Sequence, residues 1–111
     1  MKAYIAVHDV KIKWVPYQQG GRKKVPTNNR YYPLARFPEI ETEIDWFNHH
    51  TIWSVVLDLG ETSTENGDLI SYAKVRFLVD DAPHERFTLY SFFEIYEGPK
   101  KVGDVFLLNN K

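Results

Sequence analysis

The sequence predicts an all-β domain: a closed antiparallel barrel of about six strands with Greek-key-like connections. Three observations lead there. Val, Ile, Leu and the aromatic residues fall in short alternating runs bounded by Gly, Pro, Asn or Asp, as strands on a half-buried pleated surface require. No stretch sustains the helical apolar repeat, and only residues 82–86 suggest a single helical turn. The 111 residues make one domain, residues 1–111, with room for one core.

Residues 2–15 read as a first long strand. Ala3, Ile5 and Val7 share one face, whereas Val10, Ile12 and Trp14 share the other, so a bulge or bend is expected near Asp9. Residues 18–30 carry Gly20-Gly21, Pro26 and Asn28-Asn29 with little to bury, and read as an exposed, mobile loop. A second strand over 31–37 and 40–44 is interrupted by Pro33 and Pro38, which restrict it to an edge or an irregular path. Residues 51–59 form an interior strand, on which Trp53 is expected in the core.

Residues 60–68 read as a connecting loop ending in Asn66-Gly67. Residues 70–79 alternate again, with Tyr72, Lys74 and Arg76 opposed to Ala73, Val75 and Phe77. A strand over 87–96, the turn 97–100 and a strand over 102–108 close the chain.

The absence of cysteine excludes disulfides, thiolate zinc sites and a thiol nucleophile. No segment reaches the ~20 apolar residues of a membrane span and the first residues lack a secretory pattern, so a cytoplasmic protein with no membrane partner is expected. The net charge of −1 conceals an asymmetry. Residues 10–38 hold seven cations and no acid, and the stretch from Glu39 to Glu97 is predominantly acidic; a barrel can keep these segments apart or interleave and cancel them.

Catalytic patterns are missing. Gly20-Gly21-Arg22-Lys23-Lys24 lacks the spacing and the Ser or Thr of a phosphate-binding loop, so no nucleotide is expected. His49-His50 would point to opposite faces of a strand, and Glu39, Glu41 and Glu43 read as a solvated face. Asp80-Asp81 and His84 have no identifiable Ser or Thr nucleophile to serve and read as a turn.

The order of two motifs resembles the C-terminal β-barrel domain, the third domain, of elongation factor Tu and related translation factors. That family has a Gly-Gly-Arg loop, a Pro and an aromatic segment near its start, matched here by Gly20-Gly21-Arg22-Lys23, Pro26 and Tyr31-Tyr32-Pro33-Leu34-Ala35-Arg36-Phe37. It ends with a Phe-containing strand, a Glu-Gly-Gly-Arg turn and a Val-Gly-containing strand. Here Phe93 to Gly103 includes Glu97-Gly98-Pro99-Lys100, with Pro-Lys where the family has Gly-Arg. The resemblance implies a stand-alone barrel of this type in which the two end turns meet.

The expected function is therefore that of a non-catalytic binding module without a cofactor or metal, recognising a protein partner or structured RNA through a basic loop. Its candidate binding residues are Arg22, Lys23, Lys24, Arg30, Lys100 and Lys101, joined by Trp46, which reads equally as a core residue or as an exposed contact aromatic. The alternative, a small hydrolase or metal-dependent enzyme, has no residue pattern in its favour.

Overall fold

The computed structural model describes residues 6–26, 29–38 and 52–108. Their strands are β1 (His8–Trp14), β2 (Arg30–Tyr31), β3 (Leu34–Arg36), β4 (Trp53–Glu65), β5 (Asp68–Phe77), β6 (Phe92–Glu97) and β7 (Lys100–Leu107). All pairings are antiparallel. The order β4-β3-β6-β7-β1-β5 closes on itself through β4–β5, giving a six-stranded barrel with β2 as an extra strand on β4. In β3 to β6, the fourth strand returns beside the first, which is the Greek-key order.

Strand alternation fills the barrel. Val10, Ile12 and Trp14 of β1 and Ala73, Val75 and Phe77 of β5 point inward, while Lys13, Tyr72 and Lys74 are exposed. The expected phase change at Asp9 does not occur. Pairing between β1 and β5 runs without a shift from His8 to Lys13, Val7 is exposed, and His8 packs inward on Phe87. The inner face thus continues from Val10 back through His8; the part of the expected strand over 2–5 lies outside the described residues.

Residues 60–65 are strand and not loop. Thr and Ser suit an exposed strand as well as a turn, and pairing with β5 continues to Glu65↔Asp68 after a bulge between Leu59 and Thr62. The turn itself is Asn66-Gly67, with φ of 54° and 86°, the double left-handed geometry for which Asn-Gly is favoured in a two-residue hairpin. Beside the bulge, the fully buried Ser71 hydroxyl accepts the Trp14 indole N–H at 2.8 Å and hydrogen-bonds Thr62. That satisfies the polar groups left inside the apolar wall.

β2 and β3 follow β4 in one continuous register across Tyr32-Pro33. Pro33 cannot donate, but its carbonyl accepts the Val55 N–H at 3.0 Å. The irregular path expected from Pro33 holds, since the strand breaks at Tyr32-Pro33 and, among the described residues, β2 pairs with β4 alone; β3, by contrast, is no edge, having β4 on one side and β6 on the other. The segment 40–44 lies outside the described residues.

Phe87 is not on a strand. It sits in the helical turn α1 (Arg86–Leu89), a few residues later than the sequence suggested, and enters the core with its ring stacked 4.5 Å from Phe77. Phe37, Phe77, Phe87 and Phe93 pack together at this end of the barrel, under the crossing segment 78–91. Trp53 only flanks this cluster, half-buried with its edge toward Phe77; among the described residues Trp14 is the buried tryptophan.

Candidate functional site

Strand direction decides which loops meet. β1 ends at Trp14, opposite Gly103 of β7, and Lys13 lies opposite Ile70 of β5. The loop after β1, the β4–β5 turn and the β6–β7 turn therefore share the Trp14 end of the barrel.

The loop is built tightly at its start. Val15 N–H donates to the Val102 carbonyl at 2.9 Å, and a 3-10 turn over Tyr17–Gln19 ends at Gly20, whose φ of 96° suits glycine. Gly21 then lies so close to Val15 that a Cβ would stand 1.9 Å from the Val15 carbonyl oxygen. Arg22 donates to the Glu97 carboxylate, which also accepts the Tyr31 hydroxyl, and its guanidinium lies over the Tyr31 ring at 5.5 Å. Val25 packs against the core. The expectation that residues 18–30 have little to bury holds for Gln18, Gln19, Lys23 and Lys24, and fails for Gly21, Arg22 and Val25.

This latch sets local electrostatics. Burial works against the Glu97 carboxylate, but hydrogen bonds from Tyr31 and Arg22 outweigh it and hold its pKa below the usual carboxylate value. Burial, reinforced by the neighbouring Glu97 charge, pushes the Tyr31 phenol strongly up, so it remains a donor. For Arg22 the Glu97 carboxylate overcomes the cost of burial and raises its pKa.

The strip Arg22–Val25 separates two clefts. The first, of about 180 Å³, has an apolar side formed by Trp14, Val15, Pro16 and Val25, closed opposite by Gly67 to Leu69 of the β4–β5 hairpin. The second, more open, lies between the same strip and the β6–β7 turn, lined by Glu97 and Lys100. Large apolar groups remain exposed at the first rim: Leu69 at 41% and Tyr17 at 58%.

Among the expected binding residues, the fold brings Arg22, Lys23, Lys24 and Lys100 together. Arg30 and Lys101 are absent from both clefts. Arg30 is held on β2 by Asp58 at 2.7 Å, and Lys101 by Glu94 at 3.0 Å and Asp104 at 2.9 Å. Trp46 lies outside the described residues, as do His49-His50 and Glu39, Glu41 and Glu43. The basic and acidic segments interleave: besides these pairs, Lys11 meets Glu65, and Lys13 meets Asp68. Lys23, Lys24 and Lys100 are exposed and have no carboxylate within ion-pair distance among the described residues.

The Asp80–His84 region offers no catalytic couple: the imidazole Nε2 lies 2.7 Å from the Asp80 backbone carbonyl, not its carboxylate, and the ring stands edge-on to Phe77. The described residues hold no cluster of three metal-ligating side chains and no helix long and apolar enough to cross a membrane. Sequence reasoning missed the apolar wall and Glu97, whose roles depend on residues far along the chain. No protein-family model, curated protein or solved structure matches this chain. What the fold bears out of the resemblance is the closed barrel.

Proposed function

We propose that this protein is a non-catalytic binding module, a barrel of the translation-factor type, that docks an acidic partner protein on the Trp14 end. The observation that carries this reading is the cation balance. Among the described residues, Arg22, Arg30 and Lys101 pair with carboxylates of the barrel, whereas Lys23, Lys24 and Lys100 have none within ion-pair distance, Lys100 acting on Glu97 only from farther off. Binding through phosphates gains affinity with each phosphate neutralised by a cation, and three lysines supply few such contacts. Three lysines beside an apolar cleft suit instead a protein interface with an apolar centre and a charged rim. The matching order of the two end-turn motifs supports the translation-factor type.

The test compares the native protein with the triple variant Lys23→Glu, Lys24→Glu, Lys100→Glu. Each is titrated with polyglutamate and with a structured RNA hairpin at low and moderate salt. Polyglutamate should bind the native protein at low salt and lose at least tenfold in affinity with the variant, while the hairpin binds weakly at moderate salt. Tight hairpin binding with a steep salt slope would transfer the reading to RNA. Equal polyglutamate binding by both proteins would remove this end of the barrel as the site.

A further inference from the structure

Resting on that reading, we infer that the first cleft seats a single apolar side chain of an extended acidic peptide, whose flanking carboxylates meet Lys23 and Lys24. The cleft volume of about 180 Å³ is below the ~300–1,000 Å³ of sites that enclose whole small molecules, and suits a side-chain anchor. Its apolar lining comprises buried Trp14, half-buried Val15 and Val25, and exposed Leu69, while Arg22, Lys23, Lys24 and Asp68, the last near Lys13, supply the charged part. Leu69 stands opposite Thr64 in the β4–β5 ladder and is 41% exposed, so its side chain is accessible to a ligand.

Charge completes the selection. Lys23 and Lys24 line both clefts, so a chain laid along the strip Arg22–Val25 places an apolar residue on one side and a carboxylate on the other. Lys100 extends the cationic side. The walls are held before any ligand arrives by the close Gly21–Val15 approach, the Arg22–Glu97–Tyr31 latch and the Asn66-Gly67 turn. A preformed seat avoids part of the ordering cost of binding.

Two capped pentapeptides test the anchor, one with a central leucine flanked by glutamates and one with alanine in its place. Partial burial of the extra carbons should make the leucine peptide bind the native protein about tenfold more tightly. Leu69→Gln, which changes an exposed side chain without adding charge, should reduce that preference to about twofold. Lys23→Glu with Lys24→Glu should weaken both peptides. Equal affinity of the two peptides for the native protein overturns the anchor, and the binding-module reading survives if polyglutamate still binds. Failure of every acidic ligand overturns that reading and the anchor with it.

Discussion

Replacing Glu97 should both destabilise the barrel and loosen the loop that carries Lys23 and Lys24. Glu97→Ala removes two hydrogen bonds to one carboxylate, from Arg22 and from Tyr31. A hydrogen bond to a charged group contributes about 1.5–3 kcal/mol when well buried, but an exposed ion pair contributes only about 0.2–1 kcal/mol. Arg22 and Glu97 side chains are 32% and 35% exposed, so about 1 kcal/mol is appropriate for their pair. The half-buried Tyr31 hydroxyl, left without its acceptor, adds about 1–1.5 kcal/mol. The expected loss is therefore about 2–2.5 kcal/mol in urea unfolding at pH 7, or roughly 10 °C in Tm for a domain of this size. Amides of residues 17–25 should exchange faster by a larger factor than those of β5. Because Glu97 has a lowered pKa in the folded protein, its ionic contribution is full above the ordinary carboxylate value and is lost as pH falls through the lowered one. The stability difference from Glu97→Gln should shrink over that acidic range. A double-mutant cycle with Arg22→Ala giving coupling within about 0.3 kcal/mol of zero, together with unchanged loop exchange, would refute the latch.

Gly21→Ala should force the 3-10 turn open, because its Cβ would meet a backbone oxygen that no rotamer change can remove; a loss of about 1–3 kcal/mol and weaker polyglutamate binding are expected, and an unchanged urea midpoint would contradict the close approach. Trp14→Ala should cost about 3–5 kcal/mol, since it empties buried space and strips Ser71 of a donor; half-buried Trp53→Ala should cost about half as much. Thermal unfolding of both variants decides the order, and a larger loss for Trp53→Ala reverses the assignment of the core tryptophan. Burial against Phe87 lowers the His8 pKa, with Asp9 opposing, so its contribution is present above the ordinary 6.5 and declines as pH falls through the lowered value. Tm measured from pH 7.5 to 5 should fall more for the native protein than for His8→Phe, and parallel curves would show that His8 does not titrate with folding.

Features that depend only on near neighbours were legible along the chain. Alternation along β5 selected the face carrying Ala73, Val75 and Phe77, and Asn66-Gly67 specified a two-residue turn, because period and turn geometry involve only a few consecutive residues. The same local view misread Thr62 to Glu65 as a loop. Their strand state is stabilised by pairing with β5, which composition does not reveal. It also placed Phe87 on a strand, where packing against Phe77 instead favours a helical turn that carries the ring into the barrel. Tertiary structure alone decided which cations are spoken for. Arg22 and Glu97 are 75 positions apart, and Tyr31 and Glu97 are 66 apart, so the latch exists only because barrel closure brings β2 and the β6–β7 turn beside the first loop. The same closure put Leu69 and Val15 on one cleft and left Lys23, Lys24 and Lys100 at the rim, since strand direction and register, not the order of residues, determine which end turns share a surface.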